Sequence, residues 1–361
     1  MSQIDDYERL FINESKLLDT RSPIEYERGS FPNACNIALL SDEQRQQIGT
    51  CYKKYGKNQA ISLGYELVNE DQKQQIIGQW RQFITANPNG ALYCFRGGLR
   101  SQIAQEWIYQ NSGIVYPRIK GGYKAMRRFL VEHPIANSIS LLILAGATGA
   151  GKTRLIRKLP ISIDLERLAN HRGSAFGRHI AEQPRQIDFE NSLIIELLKK
   201  QKHQIVVEDE SKNIGSVRIH DQFYLNMQGA KVVLLQTDFN TRVKNTVDEY
   251  VLTMLKQNIS AFGDDLGVQK FSEYFLQSLA KIKKRLGGKL YQDLKSKTCK
   301  AIGKYQQLGQ VNDFYIIVEA LLSKYYDPMY QYQIKAKQQR IVFKGDEEAV
   351  LQYLEFAVGV N

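Results

Sequence analysis

Cysteine is scarce in this sequence, and the cysteines that are present form no disulfide or metal-binding pattern. The four residues, Cys35, Cys51, Cys94 and Cys299, are widely spaced, with no C-x-x-C pair. This spacing indicates neither a zinc site nor a disulfide framework. It fits a reducing compartment, and we expect the protein to work in the cytoplasm.

Long apolar runs are also missing. No segment approaches the roughly 20 consecutive apolar residues that a membrane-spanning helix needs. The first residues, MSQIDDYER, are acidic and polar, unlike a signal peptide. The 361 residues are 43% hydrophobic, which is enough for two or three packed cores, and they contain no internal repeat. We therefore expect globular domains and no membrane partner.

Acidic residues are outnumbered by basic ones. The sequence contains 49 Lys and Arg residues and 38 Asp and Glu residues, which gives a formal net charge of +11 and a pI of about 9.3. A basic balance suits a nucleic-acid partner, because phosphate contacts supply much of the affinity. Aromatic residues that can stack on bases interleave with one basic cluster. We predict RNA contacts from that cluster, which consists of Lys281, Lys283, Lys284 and Arg285.

A complete G-x-x-x-x-G-K-[ST] pattern, GATGAGKT, occupies residues 146–153. The apolar stretch LLILA precedes it and the helical stretch TRLIRKL overlaps its end, as in a phosphate-binding P-loop. Glycines allow backbone N–H groups to turn inward, and the helix N-terminus adds partial positive charge. ATP is the default ligand of such a loop, but any diphosphate with Mg²⁺ meets the same requirements. The predicted diphosphate-binding residues here are Gly146, Gly149, Gly151, Lys152 and Thr153.

A second strand pattern, IVV at residues 205–207, ends in the three acids Glu208, Asp209 and Glu210. In P-loop folds an acid at this place supports the metal ion, alongside the hydroxyl of the P-loop Ser or Thr. Three consecutive acids leave open which one does so, and a solvated strand end is the alternative. We predict Mg²⁺ ligands at Thr153, Asp209 and Glu210.

The second distinctive loop, CFRGGLRS at residues 94–101, follows the apolar stretch GALY. A thiol with an ordinary pKa of about 8.5 is mostly protonated at neutral pH, so a nucleophilic cysteine needs help. Two arginines, two glycines and a helical stretch after the loop all favour the thiolate over a buried structural cysteine. We predict Cys94 as the catalytic residue, in a cradle formed by Arg96, Gly97, Gly98, Arg100 and Ser101.

The segment upstream, residues 17–37, contains DTRSPIEYERGSFPNACNI and resembles the signature of the rhodanese fold, D-x-R-x-P-x-E-[FY] followed by G and P-x-A-x-N-[IL]. Sulfurtransferases of that fold have one residue fewer between Cys and Arg than the C-x5-R loop found here, which is the spacing of related phosphatases. A wider cradle suits a tetrahedral oxyanion, so we expect phosphate, thiophosphate or selenophosphate to be presented to Cys94. No Asp or Glu lies within or immediately beside the loop to act as a phosphatase general acid.

A rhodanese-like part followed by a P-loop part resembles the bacterial tRNA 2-selenouridine synthases. Further strings carry the resemblance: GTCYK at 49–53, AISLG at 60–64, DLERLANHRGSAFG at 164–177, EDES at 208–211 and YYDPMY at 325–330. The resemblance implies two steps at the wobble 2-thiouridine of tRNA. Geranyl diphosphate first alkylates the sulfur, and selenium from selenophosphate then displaces the geranylthio group to give 2-selenouridine.

Specific roles follow from this resemblance. The P-loop holds the diphosphate leaving group, and Cys94 serves the selenium step. From the residues themselves we predict that Arg172 covers the diphosphate as a lid-type arginine. Selenophosphate and geranyl diphosphate are substrates, Mg²⁺ is a possible ion, and no tightly bound cofactor is expected. The partners are a tRNA with 2-thiouridine at the wobble position and an enzyme that produces selenophosphate.

Two other functions stay open from the residues alone. One is ATP-dependent tRNA thiolation, in which the P-loop activates the base and a Cys94 persulfide delivers sulfur. The other is a phosphatase–kinase fusion or a binding module without chemistry. Composition does not separate the first of these from selenium transfer.

The predicted fold class is α/β: a rhodanese-like parallel-sheet domain followed by a P-loop α/β domain with a mostly helical C-terminal part. The boundaries are 1–132 for the first domain, 133–137 for a polar, proline-bearing linker and 138–238 for the P-loop part. Residues 239–361 complete the second domain, with helices predicted at 242–256, 271–286 and 312–325 and a last strand at 340–344.

Overall fold

The computed structural model describes residues 2–134 and 139–359. These residues form two compact units: the first comprises the chain up to residue 134 together with Glu190–Lys199, and the second comprises the rest. Residues 135–137 of the predicted linker lie outside the described residues. The α/β fold class with parallel sheets is confirmed.

The first unit is built on a five-stranded sheet in the order β1-β5-β4-β2-β3. All of its strand pairs are parallel. The strands are β1 Gln3–Ile4, β2 Leu17–Asp19, β3 Ala34–Asn36, β4 Ala91–Tyr93 and β5 Arg118–Ile119. Because β2 and β4 are neighbours and pair Asp19 with Tyr93, the segments that follow these two strands leave the sheet at the same edge.

Helices pack on this sheet and share a hydrophobic core with it that contains two tryptophans. Trp80 is fully buried and Trp107 nearly so, with their ring centroids 6.3 Å apart. Ser41 and Asn69 begin two of the helices as N-caps, each accepting a hydrogen bond from a backbone N–H of the first turn. The helices are Tyr7–Ile12, Pro23–Glu27, Asp42–Tyr55, Lys57–Leu67, Glu70–Ala86, Leu99–Ser112 and Gly122–Glu132.

The second unit contains another five-stranded sheet, in the order β12-β11-β6-β8-β7, and all of its pairs are parallel. The strands are β6 Leu141–Gly146, β7 Ser162–Ile163, β8 Ile205–Glu208, β11 Lys231–Leu235 and β12 Ile341–Gly345. A short antiparallel pair, β9 Asn213–Ile214 and β10 Val217–Arg218, lies outside it. Every residue of β6 is buried, as expected for the central strand of a sheet covered on both faces.

Helices precede and follow the strands of this sheet. Those before residue 230 are Lys152–Lys158, Leu165–Ala169 and Asp221–Gly229. A further helix, Gln186–Lys200, begins in this unit, but its residues Glu190–Lys199 belong to the first unit. The last helix, Glu347–Val358, follows β12 and packs Val350 and Leu354 into the core of the sheet. The predicted final strand therefore joins the P-loop sheet, and the end of the chain completes the second unit.

The predicted mostly helical region after residue 238 is confirmed, with different bounds. Its helices are Phe239–Val247, Thr253–Phe262, Asp264–Lys281, Lys283–Leu286, Gly288–Leu308, Asp313–Leu321 and Asp327–Ala336, with π-helical turns at Asp248–Leu252 and Leu322–Tyr326. The predicted helix 271–286 is broken near Ile282, and helix Gly288–Leu308 was not predicted. Phe271, Phe275 and Phe314 form the centre of a separate hydrophobic core here.

Among the described residues, no helix combines the length and apolar character needed to cross a bilayer.

Candidate active site

The predicted P-loop connects β6 to the helix Lys152–Lys158. Gly149 and Gly151 have positive φ angles of 78° and 93°, which residues with a Cβ rarely adopt. A Cβ at Gly149 would also collide with the Arg242 carbonyl oxygen and the Thr246 hydroxyl. The Nζ of Lys152 donates a hydrogen bond of 2.7 Å to the Gly146 carbonyl, so its ammonium is folded back over the loop.

Helix Phe239–Val247 braces the loop. Asn245 donates from Nδ2 to the Gly149 carbonyl at 2.8 Å, and Arg242 donates from Nη1 to the Thr148 carbonyl at 3.3 Å. Arg242 in turn makes a bidentate pair with Asp327, with N–O distances of 2.7 and 2.8 Å. The helical C-terminal region therefore fixes the Thr148 and Gly149 carbonyls of the P-loop in place.

A pocket of about 620 Å³ opens in front of the P-loop. It brings together residues that the sequence predicted separately as diphosphate-binding, metal-binding and tRNA-binding. The predicted residues in its lining are Gly146, Gly149, Gly151, Lys152, Thr153, Arg172, Asp209, Glu210, Lys281 and Arg285. Lys283 and Lys284 are exposed and do not belong to the lining.

The three acids after β8 have three different environments. Glu208 is buried and accepts hydrogen bonds from the backbone N–H groups of Leu165 and Glu166, so it stabilises the start of a helix. Asp209 accepts a hydrogen bond from Lys337 Nζ through Oδ2 at 2.6 Å. Burial and the negative charge of Glu166 raise the pKa of Glu210 to about 8. Burial and the charge of Glu166 also raise the pKa of Glu208, and its Oε1 is buried without a hydrogen-bond partner, so the pocket leaves the charges of both Glu208 and Glu210 poorly compensated, unlike that of Asp209.

Glu166 was not among the predicted site residues. Its Oε2 accepts a hydrogen bond of 3.1 Å from the Thr153 hydroxyl, which is the predicted magnesium ligand, and its side chain lines the pocket. Burial raises its pKa despite the nearby charge of Lys152. The string DLERLANHRG contained the residue, but nothing in that string indicated that Glu166 would meet Thr153.

The side-chain oxygen atoms of Thr153, Glu166 and Glu210 fit a magnesium ion that is bound together with a ligand phosphate. Mg²⁺ usually takes one or two carboxylates and completes its shell with phosphate oxygens and water. Within the described residues, no cluster of three or more His, Cys, Asp or Glu side chains has the spacing of a complete protein-only metal site. A hydroxyl from Thr153 and a carboxylate from Glu210 or Glu166 match the partial protein shell that Mg²⁺ needs beside a diphosphate.

Arg172 lies opposite the P-loop with part of its guanidinium unsatisfied. Its Nη1 is buried without a hydrogen-bond partner, and its Cζ lies 5.3 Å from the centroid of the Tyr250 ring. Tyr250, Tyr326 and Met329 give the same pocket an aromatic and apolar side. The pocket thus combines cationic groups suited to phosphate oxygens with a surface suited to an apolar group.

The cysteine loop lies in the first unit, between β4 and helix Leu99–Ser112. Cys94 is buried, and its Sγ lies 3.4 Å from the Ser101 hydroxyl, which itself donates to the Gly98 carbonyl at 2.9 Å. At Gly122 a Cβ would collide with the Cys94 carbonyl oxygen and the Gly97 nitrogen. The turn that contains Gly122 therefore packs directly on the backbone of the cysteine loop.

The fold brings the carboxylate of Glu25 to the cysteine loop, although no acidic residue lies within or immediately beside that loop in the sequence. Glu25 pairs with Arg100 through both of its oxygens and with Arg45 at 3.2 Å. Burial acts to raise the pKa of Glu25, but hydrogen bonding and charge attraction from Arg100 hold it below its ordinary value. Glu25 is thus an ionised partner of Arg100 and not a proton donor, which argues against phosphatase chemistry at this loop.

A buried ion pair holds Glu25 and its turn in place. Arg21 and Asp19 are almost fully buried, with 2.6 Å between Nη2 and Oδ2. The Arg21 guanidinium also donates to the carbonyls of Glu25 and Gly29, and its Cζ lies 3.9 Å from the Tyr123 ring centroid. The upstream signature therefore has a structural role: its Asp19–Arg21 pair holds the turn that presents Glu25 to Arg100.

Together, the two units define a class of protein: one with a P-loop-type α/β domain and a parallel-sheet unit that carries a buried cysteine in a strand-to-helix loop. Comparison with known proteins specifies the family. Residues 139–358 match the family model described as the tRNA 2-selenouridine synthase AAA domain. The chain belongs to the tRNA 2-selenouridine synthase family.

Relatives match over nearly their whole length. The chain is 45% identical to the tRNA 2-selenouridine synthase of Pseudomonas syringae pv. syringae (strain B728a), covering 97% of this chain and 96% of that protein. It is 44% identical to the protein of the same name from Shewanella pealeana (strain ATCC 700345 / ANG-SQ1), covering 97% of each. It is also 44% identical to the tRNA 2-selenouridine synthase of Bordetella petrii (strain ATCC BAA-461 / DSM 12804 / CCUG 43448), covering 97% of this chain and 95% of that protein.

Proposed function

We propose that this protein converts 2-thiouridine at the wobble position of tRNA to 2-selenouridine, working in the cytoplasm. The observation that carries the proposal is the likeness, over 97% of the chain, to proteins named tRNA 2-selenouridine synthase. We further propose two steps, geranylation by geranyl diphosphate and displacement by selenium from selenophosphate. The geometry of the two sites supports that division.

The first step is assigned to the P-loop pocket. The sulfur of 2-thiouridine attacks the first carbon of geranyl diphosphate, the carbon–oxygen bond breaks, and diphosphate leaves with the bonding electrons. The base loses its N3 proton to solvent, so the S-geranyl product is neutral. The N–H groups of the loop, Lys152 and Arg172 would hold the departing diphosphate, whose negative charge grows in the transition state. The apolar side of the pocket, with Tyr250, Tyr326 and Met329, would take the geranyl chain.

A magnesium ion fits this step as a neutralising charge on the diphosphate. Thr153 would hold it through its hydroxyl, with Glu210 or Glu166 as the carboxylate. Asp209 is less suited, because Lys337 already compensates its charge.

The second step is assigned to the Cys94 loop. Selenium of selenophosphate attacks the base carbon that bears the geranylthio group, and geranylthiol leaves after taking up a proton. Water then cleaves the selenium–phosphorus bond and releases phosphate. The N–H groups of Gly97 and Gly98 with Arg96 would bind the phosphate oxygens, and Cys94 would contact the selenium atom. A selenophosphate-producing enzyme is the expected supplier.

The tRNA is expected to approach the P-loop pocket over basic residues. Lys281 and Arg285 line the pocket itself, which suits contacts to the backbone phosphates around the wobble base. Lys283 and Lys284 lie exposed beside them and would contribute to the same basic surface.

Nucleoside mass spectrometry of 2-thiouridine tRNA incubated with the purified protein tests this function. With geranyl diphosphate alone we expect S-geranyl-2-thiouridine, and with selenophosphate added we expect 2-selenouridine, in both cases without ATP. A strict requirement for stoichiometric ATP hydrolysis would contradict the proposal and favour ATP-dependent thiolation through a Cys94 persulfide.

A further inference from the structure

An apolar pocket of about 460 Å³ lies within the first unit, and the chemistry described so far does not use it. The helix pair Asp42–Tyr55 and Lys57–Leu67 forms one wall, and helix Leu99–Ser112 forms another. Among the 14 residues of the lining, Lys57 and Arg100 are charged. Ile48, Ile61 and Trp107 are typical of the remainder, so the interior of this pocket is hydrophobic.

The pocket begins where the cysteine loop ends. Leu99 and Arg100 belong to the C-x5-R loop of Cys94 and also to the lining of the pocket. Large apolar side chains remain accessible at this place, with Tyr52 58%, Tyr65 56% and Leu99 41% exposed. Contiguous exposed apolar surface on a folded protein commonly marks a binding site. An anion cradle has no need of such a surface, so a second, apolar part of the ligand is indicated.

We propose that this pocket binds the isoprenyl chain of S-geranyl-2-thiouridine while selenium is transferred at Cys94, an inference that rests on the function proposed above. The chain carries no polar atom, and its burial against Ile61 and Trp107 removes apolar surface from water. The volume lies within the range of about 300–1,000 Å³ that is usual for small-ligand pockets. Because the loop of Cys94 forms part of the wall, a chain bound there remains attached to a sulfur close to the selenium donor.

This assignment gives the protein two separate sites for the same apolar group. The P-loop pocket would take the chain when it is attached to a diphosphate, and the pocket beside Cys94 would take it when it is attached to the base. It also accounts for the helix pair that carries the strings GTCYK and AISLG. Gly64 lines the pocket, and a Cβ there would make only an ordinary van der Waals contact with Ile48 Cδ1, at 3.5 Å.

The test compares Ile61→Glu with Ile114→Glu in the full-length protein. Ile61 is half-buried in the pocket, whereas Ile114 is 40% exposed in the same unit and outside the lining. Substrates are tRNAs carrying S-geranyl- or S-methyl-2-thiouridine, with free selenophosphate. We expect the wild type to favour S-geranyl by at least about tenfold in kcat/KM, since each added methylene in an apolar pocket improves discrimination. Ile61→Glu should abolish that preference while keeping S-methyl conversion and geranylation, and Ile114→Glu should behave as wild type.

A second variant guards against misfolding. Ile61→Trp fills the pocket without adding charge and should also reject S-geranyl in favour of S-methyl. Binding is followed independently by the fluorescence of Trp107, which lines the pocket: S-geranyl-2-thiouridine nucleoside and free geraniol should change it, and S-methyl-2-thiouridine should not. Geraniol should inhibit conversion of S-geranyl tRNA but not of S-methyl tRNA.

Several outcomes would overturn the assignment and leave the proposed function intact. One is equal conversion of S-geranyl and S-methyl tRNA by the wild type. Another is a defect of Ile61→Glu seen only when a coupled enzyme supplies selenophosphate, which would make the pocket a protein-docking surface. Absence of any S-geranyl product from the wild type would instead contradict the proposed function, while the fluorescence titration would still decide whether the pocket binds an isoprenyl chain.

Discussion

At the scale of single residues, Cys94 is the group whose removal separates the two proposed steps. Its thiol is buried, lies 3.4 Å from the Ser101 hydroxyl, and belongs to a different unit from the P-loop. We expect Cys94→Ala to leave geranylation of thiolated tRNA largely intact and to lower selenouridine formation by at least about a hundredfold, the scale for loss of a positioned reactive group. The measurement is nucleoside mass spectrometry with each substrate supplied in turn.

Cys35→Ala and Cys299→Ala serve as matched controls, because both residues are exposed, free cysteines. They should be near neutral in both steps. Normal selenouridine output from Cys94→Ala would remove Cys94 from the mechanism.

His179 should make stability depend on pH. Burial and the charge of Arg172 lower the pKa of His179 to about 4, from an ordinary value near 6.5. Between these values the unfolded chain binds a proton that the folded protein does not, so stability falls as pH drops from about 6.5 to 4. His179→Gln should flatten the fall in Tm over this window. The slope of the unfolding free energy against pH should decrease by the equivalent of up to roughly one bound proton.

The exposed His203 provides the matched control for this titration. His203→Gln should keep the wild-type pH profile of Tm. An identical profile for His179→Gln would mean that other groups, such as His171, carry the acid sensitivity.

At the scale of elements, the short helix Lys283–Leu286 is the one to test for RNA binding. Lys283 Nζ lies 5.2 Å from the Tyr291 ring centroid, and Arg285 reaches the Tyr325 hydroxyl at 3.5 Å beside the P-loop pocket. We expect alanine at Lys283, Lys284 and Arg285 to weaken tRNA binding. The log–log salt slope should fall by roughly 0.7–0.9 per lost phosphate contact.

The basic run Lys199, Lys200 and Lys202 gives a control with the same change in charge. Lys199 lies within 2.6 Å of Glu14 and Glu196, so acids already compensate part of this run. Its triple alanine variant should shift the salt slope much less. Equal slopes for both triple variants would point to a general charge effect and against a contact at Lys283–Leu286.

At the scale of the whole molecule, the proposal assigns the two chemical steps to two compact units. Lys152→Ala should abolish geranylation but still accept pre-geranylated tRNA, because it removes the cation that stabilises the departing diphosphate. Cys94→Ala should show the opposite pattern. Because each variant keeps the step that the other lacks, an equimolar mixture of the two should restore 2-selenouridine formation from 2-thiouridine tRNA, measured by nucleoside mass spectrometry.

Either variant alone is the control for this complementation. Failure of the mixture, with each variant active in its own step, would show that the geranylated tRNA is not released between the two sites.

The sequence by itself determined the features that depend on contiguous residues. The P-loop and the cysteine loop each lie between a strand and a helix, as their glycine and apolar patterns predicted, since backbone turns are set by adjacent residues. The α/β class and the family likewise followed from local patterns. Helix Gly288–Leu308 escaped prediction because its buried stripe, including Tyr291 and Leu294, is interrupted by many lysines and small residues.

Tertiary structure alone decided which distant side chains meet. The strand order brings Glu25 to Arg100 across 75 residues, and helix packing brings Asp327 to Arg242 behind the P-loop. The tertiary structure also distinguished the three acids that the sequence left equivalent. Glu208 accepts a hydrogen bond from a backbone N–H at the start of a helix, and Asp209 forms an ion pair with Lys337. These pairings depend on how sheets and helices pack, so no local pattern encodes them. Local patterns therefore predicted a phosphate site and a thiol site, while packing set the partners and the charge of each group in them.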